Sequence, residues 1–302
     1  MRRGIKQTVL ANWQLYLLLL PALGFVLLFS YAPMYGLLLA FKDFNPRVGI
    51  WGSPWVGLKY FAQFFQTNIF IITLKNTIIL SVASLIFSFP VPVIFALLLN
   101  EVRSKNGKRF IQTVTYAPNF ISVVVLVSML ILFLAPSSGF LAKILVFLGA
   151  KDNLFLNRPE YFRPIYIISG IWQGMGFSAI VYLAALTGVS PELHEAAMID
   201  GAGIVKRMIH INIPTIMPTI VIMLILAIGN ILSVGYEKVY LLQNGMNLSV
   251  SEVISTYVFK IGVRNAQQSF ATAVGLFNSL VNFFLLLFSN FIARKTMETS
   301  LF

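Results

Sequence analysis

Long apolar segments separated by short polar ones are the feature that most constrains how this chain can fold. Each is about as long as the roughly 20 residues that a helix needs to cross a hydrocarbon core. Inside a bilayer the backbone must satisfy its own hydrogen bonds, so segments of this kind predict helices. We therefore predict an all-α membrane protein with a single transmembrane domain over residues 1–302. About six spans can be placed, at residues 14–40, 73–99, 110–134, 164–187, 217–235 and 269–292.

The composition agrees with a bilayer environment and excludes several other classes of protein. Of the 302 residues, 58% are hydrophobic and 11% are charged, and the mean hydropathy is +0.84. A soluble domain has only about 45–50% apolar residues. The basic residues that give the net charge of +12 lie in short loops, where they can orient helices and meet anionic headgroups. Because the membrane accounts for these bases, we expect no nucleic-acid partner. The lack of cysteine excludes disulfides and thiolate metal sites, and we predict no metal site.

The positions of the basic residues predict the orientation in the membrane. Arg2, Arg3 and Lys6 precede the first apolar segment, which is too long for a signal peptide and lacks a small-residue cleavage site. We therefore expect it to be retained as the first span. The short segment 100–109 carries four bases, and short basic loops face the cytoplasm. We predict that both termini lie inside a multi-pass protein of the cytoplasmic (inner) membrane.

Prolines interrupt the first two apolar segments. Pro21 and Pro33 lie in the first segment, and Pro90 and Pro92 lie in the second. Each proline removes a backbone donor, so we expect kinks where neighbouring helices can satisfy the freed carbonyl groups. Kinked helices suit a bundle that changes conformation.

The loop between the fourth and fifth apolar segments, residues 188–216, is too polar to cross the membrane but is not a flexible linker. Its residues 195–214 read EAAMIDGAGIVKRMIHINIP. Ser190 can cap a helix that begins at Pro191. We expect the glycines after Asp200 to turn the chain into a second, amphipathic helix that ends at Pro214. The result is a compact knob exposed at the cytoplasmic face.

This loop resembles the cytoplasmic signature of binding-protein-dependent ABC importer permeases. The signature is Glu-Ala-Ala, three residues, Gly, nine residues, Ile, one residue, Leu and Pro, and here Ile213 replaces the leucine. The resemblance implies the type I importer (MetI-like) fold, built for alternating access, with this loop as the coupling helix against the ATPase. The residues that would couple to the ATPase are Glu195, Ala196, Ala197, Asp200, Gly201, Ile211 and Pro214.

The resemblance also implies partners. The chain itself shows no ATP site, so ATP must be bound by another subunit. A P-loop needs a glycine that four residues separate from Gly-Lys, and a hydroxyl residue directly after the lysine. The sequence has Val102 and Arg109 at those positions around Gly107-Lys108. We therefore expect no enzyme activity and no cofactor in this chain, with ATP and Mg on a dimer of ATPase subunits. The family further implies a second, different permease subunit and an extracytoplasmic solute-binding protein.

Other segments resemble the sugar-importer branch of this family, in the position of the maltose-type first permease. They include WQLYLLLLPALGFVLLFSYAPMYGLLLAFKDF near the start and RFIQTVTYAPNFIS at the third span. The resemblance implies translocation of an oligosaccharide or a polysaccharide fragment. An ABC permease for another solute, such as an amino acid, a peptide or a phosphate ester, remains an alternative. An ion-coupled secondary carrier is disfavoured, because no acidic residue lies near the centre of a span.

Polar and aromatic side chains within the spans are the candidate contacts for a sugar, because amides and hydroxyls pair with ring hydroxyls and aromatic faces cover C–H surfaces. The same residue types also join helices to each other or anchor their ends, and that alternative stays open. The candidates are Trp172, Gln173, Ser178 and Tyr182 in the fourth span, Asn230, Ser233 and Tyr236 in or after the fifth, and Asn278, Ser279 and Asn282 in the sixth.

Overall fold

The computed structural model describes residues 12–297. The basic residues Arg2, Arg3 and Lys6, and both chain termini, lie outside the described residues. Within them the regular structure is helical, apart from an isolated β-bridge between Lys42 and Trp55. This confirms the predicted all-α class.

Sixteen α-helices follow one another along the described residues. Short π-helical or 3₁₀ segments extend several of them, notably Leu27–Tyr31, Ala32–Phe41, Ala117–Phe120, Met208–Asn212 and Lys260–Arg264. The helices are α1 (Trp13–Val26), α2 (Gly49–Gly52), α3 (Lys59–Gln66), α4 (Asn68–Ser88), α5 (Pro90–Asn100), α6 (Lys105–Tyr116), α7 (Val123–Phe133), α8 (Phe140–Phe147), α9 (Pro159–Leu186), α10 (Pro191–Ile199), α11 (Ile204–Arg207), α12 (Ile213–Gly229), α13 (Tyr236–Leu242), α14 (Leu248–Ser251), α15 (Ile254–Phe259) and α16 (Gln268–Met297).

Several continuous helical stretches in the described residues have the length and apolarity to cross a membrane. A bent pair, α6 with its extension to Phe120 followed by α7, would make a sixth span if it crosses as one. The five continuous stretches are Trp13–Phe41, Asn68–Asn100, Pro159–Leu186, Ile204–Gly229 and Gln268–Lys295.

The structure differs from the predicted bounds at the third and fifth spans. The segment predicted as one helix over 110–134 bends by 98° between α6 and α7. Pro118 shortens the first part, and the Ser122 side chain caps the second by accepting a hydrogen bond from the Val125 N–H at 3.3 Å. The segment predicted over 217–235 ends as a helix at Gly229, so its last residues form a turn.

Proline positions explain the subdivision of the second span. Helix α4 ends at Ser88, and α5 begins at Pro90. Since a proline is tolerated in the first turn of a helix, where its missing N–H has no partner to lose, the chain restarts there. Pro33 likewise opens the 3₁₀ extension of the first span.

The chain divides into two compact units. The first comprises the described part of Met1–Gln66 together with Val258–Phe277. Its packing is aromatic: the Phe64 ring lies edge-on to Phe270 at 6.2 Å and to Phe277 at 6.1 Å.

The second unit comprises Thr67–Tyr257 and the described part of Asn278–Phe302. One buried cluster joins α4, α7, α9 and the segment 234–253, and its members include Leu80, Val127 and Phe162. Another joins α5, α9 and α12 through residues such as Ala96 and Ile216. These clusters hold α4, α9 and α12 together, and the functional features below are built on these helices.

Candidate functional site

The loop between α9 and α12 folds as two helices around a tight turn. Ser190 caps α10 as predicted, because its hydroxyl oxygen accepts a hydrogen bond from the Glu192 N–H at 3.3 Å. The chain then turns at Gly201, whose φ of +75° lies in the left-handed region that side chains disfavour. The glycine of the Glu-Ala-Ala signature is therefore required by the backbone geometry.

The first half of this loop presents an exposed surface. Glu195, Ala196 and Asp200 are exposed, and Ala197 is partly buried. Beside them the apolar side chain of Ile199 is 86% exposed in this polar loop, outside the spans. Leu193, Met198 and Val205 in the same segment are exposed as well, and a group of exposed apolar side chains is characteristic of a surface that binds a partner. We define residues 191–207 as the coupling surface.

The second half of the loop corrects one prediction. Pro214 does not end a helix, because α11, the π-helical turn Met208–Asn212 and α12 form a continuous stretch of 26 residues. In the π turn the Ile213 N–H bonds to the Met208 carbonyl oxygen, five residues earlier, and this altered pairing accommodates a proline that has no N–H. Motion of the coupling surface can thus be transmitted directly into α12.

An ion pair also ties the coupling surface to the end of the second span. The Arg207 guanidinium lies 3.9 Å from a carboxylate oxygen of Glu101, and the Arg207 side chain is only 11% exposed. Glu101 follows the last residue of α5. The sequence pattern did not indicate this contact, because the two residues lie far apart in the chain.

A cavity of 510 Å³ lies between α4, α9 and the segment that ends α12. We call it the hydroxyl cavity, because hydroxyl groups dominate its polar lining. Its wall holds no carboxylate, ammonium or guanidinium group among the described residues. Its polar residues are Ser81, Ser84, Ser88, Tyr166, Ser178, Tyr182, Asn230 and Ser233.

Four predicted substrate contacts line the hydroxyl cavity, namely Ser178, Tyr182, Asn230 and Ser233. Asn230 and Ser233 lie in the turn after Gly229 and not in a helix. A break in an apolar helix exposes polar groups, and such breaks are tolerated in a membrane where they line a cavity.

Two predicted contacts are instead hydrogen-bonded at helix breaks. The Gln173 amide donates to the Ile121 carbonyl oxygen at 2.8 Å, at the bend between α6 and α7. Asn282 is buried, and its side-chain oxygen accepts from the Leu232 N–H at 3.0 Å. Its amide nitrogen donates to the Ser233 hydroxyl at 2.9 Å. These contacts agree with the helix-joining role that the sequence left open.

The remaining predicted contacts do not line the hydroxyl cavity. Trp172 borders a separate, mostly apolar cavity of 690 Å³ between α7, α8 and α9. Tyr236 is 44% exposed and begins α13. Asn278 is partly buried, and Ser279 is exposed.

Sequence reasoning missed the serines of α4. Ser81, Ser84 and Ser88 are spaced by three and four residues, so they form one polar stripe on an otherwise apolar helix. That spacing was a readable signal. The hydroxyl oxygens of Ser81 and Ser84 are buried and have no hydrogen-bond partner among the described residues. Since a buried hydroxyl without a partner is costly, these groups mark a place where a polar ligand can bind.

Comparison with known families identifies the chain. Residues 88–298 match the family described as the inner membrane component of binding-protein-dependent transport systems. The chain belongs to this family. The matched range includes the coupling surface and every part of the hydroxyl cavity except residues 81–87, and it confirms the family resemblance of the loop.

Individual members of the family are similar over almost the whole chain. The polygalacturonan/rhamnogalacturonan transport system permease protein YteP of Bacillus subtilis (strain 168) is 45% identical over 288 residues, or 95% of this chain and 90% of YteP. A crystal structure of a bacterial ABC transporter involved in the import of the acidic polysaccharide alginate contains a chain with a TM-score of 0.88 and 40% identity. The alignment covers 97% of this chain and 99% of that one.

A second structure of a bacterial alginate ABC transporter gives a TM-score of 0.89 with 39% identity, over 99% of this chain and 100% of its match. That transporter was crystallised in complex with a periplasmic protein bound to an alginate pentasaccharide. At this similarity the comparisons establish the importer-permease fold for the present chain.

Proposed function

We propose that this chain is the permease subunit of an ATP-binding-cassette importer that moves an oligosaccharide or a polysaccharide fragment across the cytoplasmic membrane. The observation that carries the proposal is the hydroxyl cavity, whose polar wall consists of neutral hydrogen-bonding groups. The chain that contains it belongs to a family of importer permeases. Relatives that transport polygalacturonan, rhamnogalacturonan and alginate support the carbohydrate assignment.

The chemistry of the cavity suits a sugar. Ring hydroxyl groups can pair with the orphaned hydroxyls of Ser81 and Ser84 and with the amide of Asn230. Tyr166 and Tyr182 offer aromatic faces to the C–H surface of a ring. Individually weak neutral contacts allow a substrate to enter and also to leave, as translocation requires.

Alternating access would be driven through the coupling surface. ATP and Mg would be bound by a dimer of ATPase subunits, and closure of that dimer would press on Glu195 and its neighbours. Because α11 and α12 are continuous, the displacement would reach the turn at Asn230, which lines the hydroxyl cavity. This chain would bind no cofactor and hydrolyse no ATP itself.

The proposed complex contains further partners. A second, different permease subunit would complete the pathway, and an extracytoplasmic solute-binding protein would deliver the sugar. The alginate transporter crystallised with a sugar-bound periplasmic protein supports the second of these. Both termini of the present chain would face the cytoplasm.

Reconstitution tests this function. The complex co-purified with this chain is placed in proteoliposomes with its solute-binding protein and offered labelled oligosaccharides, a labelled peptide and a labelled amino acid. We expect sugar uptake that requires ATP at the ATPase face and does not respond to a sodium or proton gradient. Gradient-driven uptake without ATP would establish a secondary carrier, and ATP-driven uptake of the peptide or amino acid alone would refute the carbohydrate assignment.

A further inference from the structure

Lys238, in the first turn of α13, is a buried lysine that the proposed mechanism does not use. The residue is only 8% exposed. Its ammonium nitrogen donates to the Tyr166 carbonyl oxygen at 2.9 Å and lies 4.8 Å from the centre of the Tyr166 ring. Burial lowers the pKa of Lys238 to about 8, so the side chain remains mostly protonated at neutral pH.

No acidic side chain forms an ion pair with Lys238 in the part of the chain that the structure describes. A carbonyl dipole and an aromatic face are its contacts, and both stabilise a cation without cancelling its charge. The positive potential of Lys238 therefore extends into its surroundings.

A second base lies on the same side of α9. Arg163 is partly buried, and one of its terminal nitrogens donates to the side-chain oxygen of Asn76 at 3.2 Å. Its Nε has no hydrogen-bond partner among the described residues, and Arg163 belongs to none of their ion pairs. Arg163 lies three residues, or about one helical turn, before Tyr166 on α9.

Lys238 lies directly behind the wall of the hydroxyl cavity. Tyr166, which contacts Lys238, lines the cavity, and so do Val234 and Gly235, which immediately precede α13. The ammonium group can come this close to α9 because residue 170 is glycine, where a Cβ would lie 3.3 Å from the lysine nitrogen. One layer of side chain thus separates the positive charge from the cavity.

This arrangement favours an anionic ligand without binding it through a direct ion pair. A unit charge acting over about 12 Å at an effective dielectric constant near 20 changes the affinity of a carboxylate by roughly tenfold. The wall itself is neutral, so its hydroxyl groups can bind the sugar ring while the potential behind it selects the charge. A direct salt bridge in the pathway would instead slow the release of the substrate.

We propose that Lys238, assisted by Arg163, makes the hydroxyl cavity selective for sugars that carry carboxylates, so that the imported carbohydrate is an oligosaccharide containing uronic acids. This inference rests on the proposed function and assigns the substrate class of the same cavity. Lys238 acts through the potential that it places on the cavity and is a selectivity residue without direct contact with the sugar.

The test compares two sugars that differ only in charge. Labelled trigalacturonate and the corresponding galactotriose, in which each carboxylate is reduced to an alcohol, are offered to the reconstituted complex. Lys238→Met removes the charge and puts an unbranched apolar side chain of similar length in its place. We expect the apparent KM for trigalacturonate to rise about tenfold and that for galactotriose to stay unchanged. Because each variant uses the same solute-binding protein, the selectivity of that protein cancels.

Two further variants control the comparison. Lys238→Arg retains the charge and should keep the preference for trigalacturonate. Arg158→Gln removes a base that already pairs with Asp152 and Glu160, so it should change neither KM. If Lys238→Met does not assemble, Arg163→Gln replaces it and should raise the KM for trigalacturonate alone, by about threefold.

The outcomes separate this inference from the proposed function. An equal loss for both sugars in Lys238→Met, or an unchanged ratio in the variant that assembles, would refute the selectivity role. ATP-driven uptake of galactotriose but not of trigalacturonate by the unaltered complex would also refute it, while leaving carbohydrate import intact. Uptake of neither sugar nor of any other oligosaccharide would overturn both.

Discussion

The coupling surface and the hydroxyl cavity belong to the same unit of the chain but are built in opposite ways. The coupling surface is one continuous, largely exposed segment over residues 191–207. The cavity is assembled from α4, α9 and the turn after α12, so that Ser81 and Ser233 line the same space.

The difference teaches which functional features a single sequence reveals. The coupling surface depends on local rules, namely a helix cap at Ser190 and a glycine with positive φ at position 201. Its residues therefore occur at constant spacing in the sequence. The cavity depends on which faces of distant helices meet, and no constant spacing records that. Variants that act on one region but not on the other test this contrast.

The largest effect is expected for Glu195→Lys in the coupling surface. Reversal of an exposed charge at a proposed interface should lower ATP-driven uptake at least about 30-fold. Membrane insertion and thermal stability should be unaffected, because the side chain is exposed. Uptake and ATP hydrolysis are measured together in proteoliposomes. Glu160→Lys, which reverses an exposed charge at the start of α9 and outside the coupling surface, is the control, and normal uptake in Glu195→Lys would refute the coupling assignment.

The next effect is expected for Asn282→Ala behind the hydroxyl cavity. The substitution leaves the buried Leu232 N–H without its partner, which costs about 1–3 kcal/mol of folding free energy. We expect a lower midpoint of thermal unfolding for the purified complex. Ser128→Ala is the control, because that exposed hydroxyl bonds only to a carbonyl of its own helix. Equal midpoints for the two variants would show that Asn282 does not support the turn.

A smaller effect is expected for Gly201→Ala in the coupling surface. The φ of +75° makes a side chain at this position cost about 1–2 kcal/mol, so the turn should shift and uptake should fall several-fold. Gly203→Ala is a close control, because residue 203 has a φ of −69° and a Cβ there would meet no atom within 4 Å. If Gly203→Ala reduced uptake as much, a need for small residues would replace the conformational explanation.

The smallest effect is expected for Ser84→Val in the hydroxyl cavity. The substitution replaces the hydroxyl with two methyl groups, so the cavity loses one hydrogen-bonding group and the apparent KM for the transported sugar should rise about fivefold, as for one lost neutral hydrogen bond. The coupling of ATP hydrolysis to uptake should not change. Ser128→Val, outside the cavity, should leave KM unaltered. An altered coupling ratio in Ser84→Val would contradict the separation of the two regions.

Much of the fold was predictable because apolar length and proline position act locally. The all-α class and the capped helix at Pro191 were predicted correctly, and the second span is divided at Pro90. The bend between α6 and α7 was missed, because it depends on the Ser122 cap and on the Gln173 amide from a distant helix. The prediction that Pro214 ends a helix was wrong, because the preceding π turn changes the hydrogen-bond register and lets the helix continue.

The candidate site was predictable in part for the same reason. Ser178, Tyr182, Asn230 and Ser233 were identified as polar groups in apolar surroundings, and they do line one cavity. Asn282 was identified by the same rule, yet its side chain is hydrogen-bonded to the turn at Leu232. Residue type and depth cannot separate a side chain that faces a cavity from one that joins two helices.

The sequence by itself predicted that this chain crosses a membrane, that it resembles the importer permeases and that residues 188–216 form a structured loop, for which that resemblance implies the coupling role. The spans and the structured loop follow from interactions between near neighbours in the chain, and the family follows from the resemblance of the loop to a known signature. Only the tertiary structure decided that the serines of α4 meet Tyr182 and Asn230 around one cavity, and that Lys238 lies behind its wall without an ion pair among the described residues. The physical reason is that burial and electrostatic potential depend on distances in space, which the packing of remote helices sets.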